Sequence, residues 1–180
     1  ACSSGYGWNG DACYICDSSC VVGAIYYSDG TCNTCYDSSK TAIGVIVKED
    51  ALVMSEMVED VRWGSYQTNI SGLTDIRSTI TIYDDYAGKS NTTAMVAEEP
   101  NHPATGIFAA VYCNEYSTDG TNAGDWYLPA AGELYDYVYG NKSDISKIIS
   151  ILGWQWSSVH LWSSSEYNGI DAWYLYNINE

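Results

Sequence analysis

The chain is 180 residues long and acidic, with 23 Asp and Glu against 7 Lys and Arg and a formal net charge of −16. No Lys/Arg cluster or glycine-rich phosphate loop offsets that charge, so anionic membranes are poor partners and no nucleic-acid partner is expected. Apolar runs fall far short of the roughly 20 residues that span a membrane, which excludes membrane insertion, and the length suits one ordinary domain with a small appendage.

Aromatic usage is lopsided: 17 Tyr and 7 Trp stand against a single Phe. Rings with a polar handle suit surfaces that bind. The chain opens at Ala1 without a basic, apolar leader, as expected of a chain that is soluble or has lost its targeting peptide.

Cysteine usage divides the sequence. Cys2, Cys13, Cys16, Cys20, Cys32 and Cys35 fall in the first 35 residues, and Cys113 stands alone in the body. A boundary is placed after residue 36: residues 1–36 form a cysteine-rich head with little to bury, and residues 37–180 form the main domain. A head that small needs disulfides or a metal to hold a shape. The Cys13-x2-Cys16 and Cys32-x2-Cys35 pairs match the spacing of a four-thiolate zinc ribbon. Against zinc stand Cys2 and Cys20 in the same head, the lack of Lys or Arg to balance a dianionic site, and a composition that looks secreted. Disulfides are therefore expected, with no pairing assigned. Cys113 either pairs elsewhere or is buried as a small apolar side chain.

Residues 21–27 and 42–47 are β-branched runs that suit strands, with Ser28-Asp29-Gly30 as a turn between them. Residues 51–58 are a third candidate strand, and Val61-Arg62-Trp63-Gly64 a turn. A helix is predicted over 90–99, ended by Pro100, and another over 104–116 with Ile107, Ala110, Val111 and Asn114 at helical spacing. Pro129 at a first helical position predicts a helix over 129–139. Ser143-Asp144 is expected to cap a helix over 145–152, whose Ile145, Ile148, Ile149 and Leu152 form a core stripe. Aromatic strands then flank Asn168-Gly169, a hairpin turn signal.

The blocks Gly124-Asp125-Trp126-Tyr127-Leu128-Pro129-Ala130-Ala131-Gly132-Glu133-Leu134, His160-Leu161-Trp162-Ser163-Ser164-Ser165-Glu166-Tyr167 and Asp171-Ala172-Trp173 carry a family resemblance. So do Tyr26-Tyr27-Ser28-Asp29-Gly30-Thr31-Cys32 and Lys40-Thr41-Ala42-Ile43-Gly44-Val45-Ile46. In them the chain resembles the C-terminal domain of bacterial collagen-like surface adhesins and their secreted relatives, including variable proteins of diversity-generating retroelements. The resemblance implies an α+β, C-type-lectin-like fold used for binding at the cell surface or outside the cell. Trp126, Leu128, Pro129, Glu133, Leu134, Trp162, Ser163, Ser164, Ser165 and Trp173 match the family's structural motif. Relatives continue into a final strand that pairs with the first, whereas this sequence stops at Asn179-Glu180. Either the sequence is trimmed or an open edge suits assembly into a surface filament by strand addition.

Residues 154–180 hold Trp, Tyr, Asn and Gln without a Lys or Arg, the composition of antibody loops. Tyr167, Asn168, Asp171, Tyr174, Tyr176, Asn177 and Asn179 are the expected ligand contacts, with a protein, a glycan or further copies of the chain as partner. Neither His102 nor His160 sits in a context that names a nucleophile, so no catalysis and no cofactor are expected. Glu99-Pro100-Asn101 resembles the calcium-bound sugar site of mannose-type C-type lectins, but no Trp-Asn-Asp triplet accompanies it. Asp84-Asp85 reads as a loop or cap pair in place of a calcium site, so no metal is expected. Asn69-Ile70-Ser71, Asn91-Thr92-Thr93 and Asn141-Lys142-Ser143 are glycosylation sequons and surface markers.

Overall fold

The computed structural model describes residues 6–8, 13–48, 51–54, 62–64, 69–101, 108–117, 121–153, 160–169 and 171–176. The fold is α+β, mixing helices with small antiparallel sheets. The chain divides into two compact units. One comprises Ala1–Met57, Thr118–Gly120 and Gly140–Ser157, the other Val58–Ser117, Thr121–Tyr139 and Ser158–Glu180.

In the first unit, β1 (Tyr6–Trp8) and β2 (Cys13–Ile15) form an antiparallel pair. A four-stranded antiparallel sheet has the order β4-β3-β5-β6, built from β3 (Ile25–Tyr27), β4 (Cys32–Asn33), β5 (Ala42–Lys48) and β6 (Ala51–Met54). The Ser28-Asp29-Gly30 turn closes β3 onto β4, not onto the 42–47 run as expected. Gly30 adopts φ +80°, which only glycine tolerates freely, and donates its N–H to Tyr27 O at 2.9 Å. Asp29 accepts from the Thr31 amide and hydroxyl, the local turn chemistry of aspartate. Strand β5 then pairs with the other edge of β3, so the sheet runs across the boundary placed after residue 36.

Cys16–Cys35 and Cys20–Cys32 are disulfides, with Cα–Cα distances of 5.3 and 5.1 Å. Cys13 is also disulfide-bonded, and Cys2 lies outside the described residues. The zinc-ribbon alternative is thereby overturned, because Cys16, Cys32 and Cys35 are bonded as disulfides. Cys32 packs with Ala24 and Ile46, so one bridge ends inside the sheet core. The Tyr27 hydroxyl accepts from the Asp37 amide at 2.8 Å and donates to Cys35 O at 3.2 Å, tying the strand to the bridged segment.

Helix α4 is Lys142–Leu152 and packs on β5, burying Ile145 and Ile148 as the stripe requires; Leu152 is half-buried, and the Ile149 side chain lies outside the description. Ser143 and Asp144 lie inside the helix. The first carbonyl to accept, from Ile145 N–H, is that of Asn141, which places the helix start two residues before the expected cap.

In the second unit, α1 (Gly88–Glu98) begins two residues before the predicted helix, and a 3-10 turn, Glu99–Asn101, takes over where Pro100 removes a backbone donor. Helix α2 (Phe108–Glu115) buries Ala109, Ala110 and Cys113. Val111 and Asn114 are only half-buried, and Ile107 lies outside the described residues, so the buried face is rotated from the expected stripe. Cys113 is free and 9% exposed, and burial pushes its thiol up to about 11, which makes it an inert apolar side chain. Helix α3 (Ala131–Glu133) continues as a π-helical stretch, Leu134–Tyr139. Strands β7 (His160–Asn168) and β8 (Asp171–Tyr176) pair around Asn168-Gly169 as the turn signal predicts. The core of this unit holds Ile70, Ile82, Met95, Ala130, Leu134 and Val138 together with the polar run Ser163 to Glu166. Among the described residues no helix is long and apolar enough to cross a membrane.

Candidate functional site

The Leu128 to Leu134 block is held by polar side chains that have no exposed alternative. Thr92 of α1, 1% exposed, accepts from Leu128 N–H at 2.9 Å and donates to Leu128 O at 3.2 Å. Helix α3 starts at Ala131, so Pro129 precedes the helix in place of opening it, and Ala130 is the N-cap. Alanine has no capping oxygen; the third helical residue, Glu133, supplies one and accepts from Ala130 N–H at 2.7 Å and Tyr127 O–H at 3.2 Å. Burial raises the Glu133 carboxyl above its ordinary range, and burial beside Glu133 pushes Tyr127 up to about 12. Two glycines make room. A Cβ on Gly88 would strike the Glu133 carboxylate, and a Cβ on Gly132 would lie 2.6 Å from Tyr83 O and Asp85 O.

Strand β7 carries the complementary half. Trp162 faces Tyr174 and Glu166 faces Ala172, so four residues on β7 span two on β8 and the register slips. The resulting bulge turns Ser163, Ser164 and Ser165 out of the ladder and into the protein, where each is at most 1% exposed. Ser163 O–H donates to Trp173 O, and Ser163 O accepts from the Trp63 indole at 2.6 Å. Ser164 N–H donates to Pro129 O at 2.8 Å. Ser165 Oγ donates to Asp85 and accepts from Ala131 N–H. Asp85 also accepts from Ala87 N–H and Asn91 Nδ2, so the Asp84-Asp85 pair acts through Asp85 as a cap-like anchor. Asn91 donates to Ser164 as well, which makes its sequon an internal polar contact, contrary to the surface marker expected.

Of the expected contact residues, Tyr174 and Tyr176 alternate on β8 at 50% and 58% exposure. Tyr167 is half-buried with its ring edge-on to Trp173 at 5.3 Å. Asn168 and Asp171 close the hairpin turn on each other through Asp171 N–H to Asn168 Oδ1 at 3.1 Å. Asn177 and Asn179 lie outside the described residues. Trp126 is 9% exposed, with its indole N–H on Thr121; Trp162 and Trp173 are half-buried, and Trp173 donates to Ile76 O at 2.7 Å.

A second aromatic surface escaped sequence reasoning. The π-helical stretch stacks Tyr135 on Tyr139 at 5.4 Å and brings Tyr83 to 4.3 Å from Tyr135. Tyr86 donates to Asp136 and packs beside Tyr137. Tyr83, Tyr86 and Tyr135 are 40–46% exposed. Tyr135 and Tyr139, four apart in the predicted helix and so on one of its faces, were the available signal; Tyr83 and Tyr86 join them from a segment about fifty residues away, which no local pattern shows.

Comparison with known proteins finds no match. No family model, no curated protein and no solved structure matches the chain. Glu99-Pro100-Asn101 forms an exposed or half-exposed 3-10 turn in which Asn101 donates to Glu98 at 2.9 Å. Among the described residues no three His, Cys, Asp or Glu side chains converge to hold a metal ion.

Proposed function

We propose that the chain is a non-catalytic, adhesin-like recognition protein with a C-type-lectin-like fold, acting at the cell surface or outside the cell. One observation carries the reading: Tyr174 and Tyr176 stand at least half-exposed on one face of a hairpin whose base is anchored by part-buried hydrogen bonds. Tyrosines on a fixed support give contact area at low ordering cost, the device of antibody paratopes. The disulfides fit an oxidising compartment. The ligand is a protein or a glycan carrying apolar faces, and the charge of −16 disfavours a polyanion.

The test is a glycan and surface-protein array probed with labelled wild type and a Tyr174→Ala/Tyr176→Ala variant. Saturable binding that falls at least tenfold in the variant, with an unchanged circular dichroism spectrum, supports the reading. Binding that is undiminished refutes the β8 surface as its seat. A second reading, a filament subunit that assembles by strand addition, is favoured by the β7–β8 sheet, which has two strands among the described residues. Light scattering separates the two: a species that stays monomeric from micromolar to millimolar concentration refutes assembly.

A further inference from the structure

Glu166 ends the polar run of β7, and none of the hydrogen bonds around the β7 bulge uses its second oxygen. The residue is 1% exposed. Its Oε1 accepts from Ile70 N–H at 3.4 Å, whereas Oε2 has no hydrogen-bond partner among the described residues. A buried, unpartnered carboxylate oxygen carries a desolvation penalty that folding alone does not explain. Glu166 lines a cavity of about 270 Å³ with Thr74, Ile76, Thr81, Asp84, Asp85 and Asn91, all in the second unit. That volume is about nine times the roughly 30 Å³ share of a liquid water, enough for a small organic head group.

The cavity wall has a consistent sign. Three carboxylates line it, and neither Lys nor Arg does. Asp85 is already committed, because both its oxygens accept from Ala87, Asn91 and Ser165. The side-chain acceptors left are Glu166 Oε2, the Asp84 carboxylate, Asn91 Oδ1 and the hydroxyls of Thr74 and Thr81. Among the described residues no three His, Cys, Asp or Glu side chains converge to hold a metal ion, whereas an ammonium, with three N–H donors on one compact charge, needs only a few acceptors.

We propose that this cavity binds a primary ammonium group, with Glu166 Oε2 as its principal acceptor and Asp84, Thr74 and Thr81 as the others. The group belongs either to a free alkylamine or to the lysine side chain of a protein partner; the chemistry is shared. The inference is independent of the exposed tyrosines. The Ile76 segment, which lines the site, is fastened to the same residue, since Ile76 N–H donates to Glu166 O at 2.9 Å. Occupancy is therefore reported by the Ile70 and Ile76 amides.

Binding depends on pH. Burial holds the Glu166 carboxyl up at about 7, with Asp75 adding to the rise and Ile70 N–H opposing it. The other charges near it are Asp84 and Asp85 across the cavity and Arg77, which is paired with Asp75 at 3.0 Å. Falling pH neutralises Glu166 and weakens the site.

The test is a titration of the ¹⁵N-labelled full chain at pH 8 with n-butylammonium, with Nα-acetyl-lysine N-methylamide, and with 1-butanol and calcium chloride as controls. Saturable shifts at Ile70 and Ile76 are expected with an amine and not with butanol. Glu166→Gln should weaken them at least tenfold, and pH 5.5 should weaken wild-type binding about thirtyfold relative to pH 8. Response to the butylammonium alone supports a free amine; response to the lysine derivative supports a partner's lysine. The proposal is overturned by silence with both amines, by equal shifts with butanol, or by calcium binding that the amines do not displace. Should Glu166→Gln fail to fold, an amine affinity that is the same at pH 5.5 and pH 8 overturns it.

Discussion

Glu133 and Gly132 illustrate how single residues set the geometry here. Glu133 caps α3 from inside the helix because Ala130 lacks a side-chain acceptor, and Gly132 lets α3 touch the backbone at Tyr83 and Asp85. Gly132→Ala forces that backbone apart, and thermal or urea unfolding should register a loss of about 1–3 kcal/mol. A loss below about 0.5 kcal/mol would show that the close approach relaxes freely. Glu166 gives a pH signature. Its folded value of about 7 lies above the ordinary 4.5, so the folded state holds the extra proton. The stability this confers is complete below about pH 4.5 and is lost as pH rises through about 7. Glu166→Gln is neutral throughout, so its stability relative to wild type should rise between about pH 5 and pH 8 by about 1–3 kcal/mol. A difference that is flat with pH would refute the shift.

At the scale of elements, the β7–β8 hairpin is a clamp. Its bulge sends three serines inward and its Trp173 donates to Ile76 O, so the Ile76 segment that lines the cavity is held by β8 as well as by Glu166. Trp173→Phe keeps the ring and removes that donor, which should cost about 1–2 kcal/mol. Faster hydrogen exchange at the Ile76 amide, which bonds to Glu166 O, is the expected readout. Unchanged exchange there would show that Glu166 suffices. The turn of this hairpin was legible because Asn168-Gly169 is a local signal. The bulge was not, since serines in a strand read as solvent-facing positions.

At the scale of the whole molecule, each unit is held by different means. The first carries the disulfides Cys16–Cys35 and Cys20–Cys32 at separations of 19 and 12 residues, beside a modest sheet core. Loops of that length make each bridge worth about 2–4 kcal/mol. Cys20→Ser/Cys32→Ser should therefore expose β3 and β5 amides to exchange at lower denaturant, before those of β7. Simultaneous exposure of both sets would show that the units unfold as one. The second unit relies on buried hydrogen bonds between segments far apart in sequence, such as Trp63 with Ser163 and Leu128 with Thr92.

The sequence by itself determined the α+β class, the disulfides of the N-terminal region, the main strands and helices, and the apolar stripe of α4, because periodicity, turn residues and cysteine density are local properties. Tertiary structure decided the rest. It carried the sheet across residue 36, rotated the buried face of α2, drew Asn91 inward, brought Tyr83 onto Tyr135, and left Glu166 buried with an idle oxygen. Serine, asparagine and glutamate are ordinarily exposed. Their burial is decided by partners tens of residues away, which no local pattern encodes.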